Sequence, residues 1–227
     1  MALRAIVFDF DGVIANSQPL HFRAFRDILA RSGIELTETD YYSRYLGFDD
    51  VGVFRTVGAE LGKSWTMRDV AALVADKALR LEELERDVTV LFPGAADAVR
   101  RAAAAVPIAI ASGALGPEIR RILNHAGLTK LFAAIVAAED TPASKPAPDP
   151  YVRAVSLLRE QISGTALQPS ECVAIEDSRW GLESAREAGL RTVAVTNSYD
   201  ASELGDADLV IGSLADLDVD DLRRLVH

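Results

Sequence analysis

The chain is poor in cysteine: Cys172 is the only one among 227 residues. An intrachain disulfide is therefore excluded, and a reducing, cytoplasmic compartment is expected. No Lys/Arg-rich run occurs, and the formal net charge is −10. Such a chain repels nucleic-acid phosphates and anionic membranes, so neither is an expected partner. An anionic small molecule would need a local source of positive charge, such as a metal ion or a buried lysine. Long apolar runs are missing too, since Val106–Ala111 is far too short to span a bilayer. The apolar run after Arg4 is broken by Asp9 and Asp11, so it fits neither a signal peptide nor a transmembrane helix. Internal repeats and low-complexity tracts are also lacking.

What is present is an ordinary globular composition, 49% hydrophobic and 26% charged. The length suits one large domain, or a domain of roughly 150 residues with a smaller one inserted. Six short runs rich in Val, Ile and Ala read as strands buried on both faces: Arg4–Phe8, Pro107–Ala111, Ala134–Ala137, Cys172–Ile175, Thr192–Val195 and Leu209–Ile211. Helical periods lie between them. One opens at Pro117 and is closed by Gly127, one starts near Pro150, and one runs from Arg179 to Ala188 before Gly189. Strand–helix alternation of this kind predicts an α/β fold with a doubly wound parallel sheet.

From Ser17 to Leu91 only helical periods occur. Leu20, Phe25 and Leu29 repeat at helical spacing, and Gly33 closes that segment. Thr66 and Asp69 are spaced as a capping box ahead of a helix through Leu73, Leu81 and Leu84. The expected organisation is a core of residues 1–16 and 92–227 with an all-helical cap domain, 17–91, inserted after the first strand.

Four predicted strand ends carry the chemistry, and in open α/β sheets ligands bind at that edge. Asp9-Phe10-Asp11-Gly12 offers two carboxylates to one cation, with a glycine that permits a tight turn. Ser112-Gly113 offers a hydroxyl and backbone N–H groups, an anion cradle. Lys145 sits among Pro146, Pro148 and Pro150, which stiffen its loop. Glu176-Asp177-Ser178 places two adjacent carboxylates that repel each other unless a cation neutralises them. Each admits a bland reading as turn, cap or solvated charge. Together they supply what metal-assisted phosphoryl transfer requires.

In this order the four segments resemble the four motifs of haloacid dehalogenase-type phosphotransferases: Phe8-Asp-Phe-Asp-Gly-Val-Ile14, Ala111-Ser112, Ser144-Lys-Pro-Ala-Pro-Asp149 and Ile175-Glu-Asp-Ser178. The subgroup that looks most similar contains β-phosphoglucomutases and sugar-phosphate phosphatases, whose helical cap follows the first motif. The resemblance implies a Rossmann-like core and a small phosphorylated metabolite as partner. It implies Mg2+ bound by Asp9, Asp11 and Asp177, with Glu176 nearby or acting through water. Asp9 would be the nucleophile and Asp11 the acid/base, while Ser112, Gly113 and Lys145 would bind phosphate. Lys145 is also expected to favour the ionised form of Asp9.

In the cap, His21 and the loop Leu46-Gly47-Phe48-Asp49-Asp50 fall where the family contacts substrate. β-Phosphoglucomutases carry an arginine at the place of Asp50. An aspartate would repel the second phosphate of a bisphosphate, favouring simple hydrolysis over mutase chemistry. Lys63 and Lys77 lie outside that loop, which counts against a Schiff-base phosphonate hydrolase. Asp11 and the Glu176/Asp177 pair count against a dehalogenase. The helical insertion counts against a phospho-accepting receiver, and filled catalytic positions count against a silent phosphate-binding protein. Tyr41, Tyr42 and Tyr45 belong to the pocket, to a helix–helix core or to a dimer interface. Oligomeric state is not legible from the sequence.

Overall fold

The six apolar runs form six strands: β1 (Ala5–Phe8), β2 (Ile108–Ala111), β3 (Phe132–Val136), β4 (Cys172–Glu176), β5 (Arg191–Val195) and β6 (Leu209–Ile211). The computed structural model describes residues 2–45, 48–85, 90–162 and 166–226. The strands make one parallel sheet in the order β3-β2-β1-β4-β5-β6. Every residue of β1, β2 and β4 is buried, whereas β6, at an edge, is only partly covered. This is why the central runs carry no polar alternation.

Two compact units divide the chain, one comprising Met1–Asn16 and Leu91–His227 and the other Ser17–Val90. Ser17–Val90 contains helices α1 (Gln18–Ala30), α2 (Glu38–Asp40), α3 (Asp50–Glu60) and α4 (Met67–Glu85). The first of these closes at Gly33, which has φ of 71°. The capping box ahead of α4 forms as its spacing predicts. Thr66 N–H donates to Asp69 Oδ2 at 2.8 Å, and Asp69 N–H donates to Thr66 Oγ1 at 3.3 Å. Phe25, Ile28, Phe54, Val57 and Val70 fill this unit's core. Tyr41 and Tyr45 are buried in the same cluster, with hydroxyls on Gln18 Oε1 and Glu60 Oε2. Of the three readings of these tyrosines, the helix–helix core is the one observed for Tyr41 and Tyr45, while Tyr42 is partly buried against the same cluster.

The sheet unit carries α5 (Ala95–Ala105), α6 (Gly116–His125), α7 (Asp149–Gln161), α8 (Arg179–Glu187) and α9 (Val219–Leu225). One face of the sheet, through Val7, Ala109, Val136 and Ala174, packs on Tyr151, Val155 and Leu158 of α7 and Ala185 of α8. The chain leaves and re-enters this unit at neighbouring points, since Phe92 N–H donates to Ile14 O at 3.0 Å. Because all strands are parallel, the loops after β1, β2, β4 and β5 emerge along one edge. Among the described residues, no helix is long and apolar enough to cross a membrane.

Candidate active site

Asp9 begins the loop after β1, and its N–H donates to Ile175 O on the neighbouring β4 at 2.9 Å. That bond carries the sheet ladder one residue further and fixes where the Asp9 carboxylate starts. Gly12 then turns the chain at φ 82°. A Cβ at Gly12 would overlap the carboxylate of Asp177, so the glycine is required twice, for its backbone and for close approach.

Lys145 reaches in from the loop before α7. Its Nζ donates to Asp9 Oδ1 at 2.7 Å and to Glu176 Oε1 at 2.6 Å. Glu176 is fully buried and accepts from five donors. Lys145 Nζ and Tyr151 Oη serve Oε1, while Asp177 N–H, Ser178 N–H and Ser178 Oγ serve Oε2. Gly181 makes room for it, because a Cβ there would overlap the Glu176 carboxylate. So saturated a carboxylate is suited to orienting Lys145 rather than to binding a cation directly.

Burial dominates the electrostatics. It pushes Asp9 up to about 7, with the Lys145 charge pulling down and the Glu176 charge pushing up. The expected effect of Lys145 is present, yet burial outweighs it. Asp177 is raised well above the ordinary carboxylate range by burial, then by Glu176 and Asp9. Lys145 loses some proton affinity to burial, but its two carboxylate partners more than restore it, and it stays charged.

Asp9, Glu176 and Asp177 each present a carboxylate oxygen within 4.8 Å of the others, and all three residues are buried. Three carboxylates against one ammonium leave two negative charges if all ionise. An all-oxygen cluster with that deficit fits a hard divalent cation such as Mg2+.

The loop after β2 holds Ser112, which is buried, and Gly113, where an added Cβ would meet open space. Ser112 Oγ accepts from Ala114 N–H at 3.1 Å, which leaves its proton to donate elsewhere. Further along this loop, Gly116 N–H is taken by the Glu139 carboxylate at 3.0 and 3.2 Å.

In the helical unit, Lys77 is buried, with Nζ 2.8 Å from His21 Nδ1 and 2.9 Å from Asp50 Oδ1. Lys77 is thus tied to the first residue of α3 despite lying far from that loop in sequence. Asp50 is consequently an ion-paired carboxylate. Phe48 is about half exposed, with its ring 6.4 Å from that of Tyr45. Gly47 lies outside the described residues.

Sequence reading passed over Tyr151, Glu139, Asn197 and Ser198. The last two follow β5, and the strand-end rule that found Asp9 and Asp177 would have found them. Asn197 Nδ2 donates to Gly12 O at 2.7 Å, and Ser198 Oγ donates to Asp177 Oδ2.

Comparison with known proteins agrees with this geometry. Residues 3–189 match the family pattern of haloacid dehalogenase-like hydrolases. Protein CbbY of Rhodobacter capsulatus is 33% identical over 214 residues, 88% of each chain. Fructose-1-phosphate phosphatase YqaB of Escherichia coli (strain K12) is 29% identical over 84% of this chain and 95% of its own. The crystal structure of CbbY from Rhodobacter sphaeroides in complex with phosphate superposes with a TM-score of 0.83 at 27% identity, covering 96% of both chains.

Proposed function

Because the chain belongs to the haloacid dehalogenase-like hydrolases and is a phosphatase, we propose that it hydrolyses a small sugar phosphate monoester through an aspartyl-phosphate on Asp9. The observation that carries this reading is the contact of Lys145 with both Asp9 and Glu176, beside Asp177. It puts a nucleophilic carboxylate next to a fixed positive charge where a phosphoryl group must be neutralised.

Asp9 attacks phosphorus, and the bond to the sugar oxygen breaks as Asp11 gives that oxygen its proton. Water then attacks the aspartyl-phosphate, Asp11 takes the water's proton, and phosphate leaves with Asp9 restored. Ser112 Oγ, the Gly113 N–H and Lys145 bind the phosphoryl oxygens. Asp9 and Asp177 would hold Mg2+ through their carboxylates, with the Asp11 backbone carbonyl as the family resemblance implies. Glu176 fixes Lys145. The bound Mg2+ would neutralise phosphoryl charge and keep Asp9 ionised at neutral pH. By the family resemblance, the choice of sugar would fall to residues of Ser17–Val90, His21 and Asp50 among them. The relatives' names support a sugar phosphate: one is a fructose-1-phosphate phosphatase, and a CbbY structure is described in complex with xylulose-(1,5)bisphosphate.

The test is phosphate release from a panel including fructose 1-phosphate, xylulose 1,5-bisphosphate, β-glucose 1-phosphate and phosphoglycolate, with and without Mg2+. Mg2+-dependent release from a sugar phosphate, abolished in Asp9→Asn, supports the reading. Conversion of β-glucose 1-phosphate to the 6-phosphate without release overturns it in favour of a mutase.

A further inference from the structure

The loop after β5 makes two contacts that the phosphatase reading leaves without a role. Ser198 Oγ donates to Asp177 Oδ2, and the preceding residue, Asn197, donates through Nδ2 to Gly12 O at 2.7 Å. In the sheet β5 neighbours β4, and β4 neighbours β1. Asn197 therefore reaches past the end of β4 to a loop two strands away. Gly12 is in turn the residue where an added Cβ would overlap Asp177 Oδ2, the oxygen that Ser198 holds, so its bare backbone lies close beside that oxygen. One oxygen of Asp177 is thus fixed from two sides, by a hydroxyl and by a backbone that Asn197 pins.

We propose that Ser198, with Asn197 as its brace, is a positioning residue that sets the orientation of the Asp177 carboxylate and thereby the affinity of the site for Mg2+. A carboxylate turns freely about its last torsion unless a donor holds one oxygen. Ser198 supplies that donor to Oδ2, which would leave Oδ1 available to a cation. Groups that orient a metal ligand without touching the ion commonly change affinity by about 10–100-fold when removed. The inference rests on the reading of Asp9 and Asp177 as the Mg2+ ligands.

Mg2+ binding to the protein stripped of divalent ions, measured by titration calorimetry, is the direct readout, joined by kcat at saturating Mg2+. Ser198→Ala and Ser198→Val should weaken binding about 10-fold, with kcat at saturation changed less than about twofold. Ser198→Thr restores the hydroxyl and should return binding to the parent value, whereas valine has the same shape without the donor. Asn197→Ala should weaken binding in the same direction. Equal Mg2+ affinity in the parent, Ser198→Ala and Ser198→Val overturns the proposal. Weakened binding that threonine fails to restore also overturns it, since the hydroxyl would then not be the cause. If the parent binds no Mg2+ at all, it is the assignment of the ligands that fails.

Discussion

Lys145 Nζ lies 2.7 Å from Asp9 Oδ1 although 136 positions separate the two residues. The ammonium is shared with Glu176, so it holds the nucleophile in place and opposes, without cancelling, the upward push of burial on the Asp9 carboxyl. Lys145→Met keeps much of the side chain's bulk and removes the charge. Its kcat/KM should fall about 100-fold or more, the scale of losing one preorganised donor to a developing anion. Phosphate-release kinetics at saturating Mg2+ measure it, and a loss under threefold would remove Lys145 from the mechanism.

Tyr151 donates to Glu176 Oε1 at 2.8 Å from a fully buried position. Burial and the neighbouring carboxylates hold its hydroxyl protonated far beyond neutral pH. Tyr151→Phe keeps the ring and deletes one hydrogen bond to a charged group. Stability should fall by about 1.5–3 kcal/mol, read as a lower urea midpoint at unchanged slope.

Gly181→Ala sets two effects against each other. Alanine favours a helix by about 1 kcal/mol over glycine, yet here its Cβ would overlap the Glu176 carboxylate. Displacing that carboxylate also releases Lys145, so the variant should lose stability and at least about 10-fold in activity. Gly127→Ala is the control. Its φ is 67° and nothing lies within 4 Å of the added atom, so it should cost about 1 kcal/mol and leave activity intact.

Much of this was legible in the chain because it depends on short-range signals. The six strands are apolar runs, and Thr66 with Asp69 forms the capping box that its spacing implies. Asp9, Ser112 and Asp177 stand out in the sequence because each directly follows a strand, and Lys145 because Pro146, Pro148 and Pro150 stiffen its loop. The contacts of Asn197 and Ser198 were not legible, because they depend on β5 lying beside β4 and β4 beside β1, an order that no local pattern encodes. The Lys77–Asp50 pair was missed for a similar reason. It joins the start of α3 to the middle of α4, and judging Lys77 by its distance in sequence placed it away from the loop it touches. Tyr151 reads as a core aromatic until its hydroxyl is seen on Glu176.

Cys172 gives a prediction about pH. Burial pushes its thiol up from an ordinary 9.0 to about 12. The native state therefore keeps the proton that the unfolded state releases, and this group's contribution to stability is lost as pH rises from about 9 toward 12. Below that window the native thiol is protonated and enclosed. Alkylation by iodoacetamide at pH 8 should be negligible in the native protein and complete in urea, as followed by intact-mass measurement. Rapid native labelling at pH 8 would contradict the burial.

Rapid acid quench during turnover of a 32P-labelled sugar phosphate in Mg2+, followed by peptide mapping, tests the central claim most directly. The account predicts label on the protein, labile to alkali and hydroxylamine, in the peptide that contains Asp9 and absent from Asp9→Asn. Phosphate release that persists in Asp9→Asn, with no label on the parent during turnover, would contradict it.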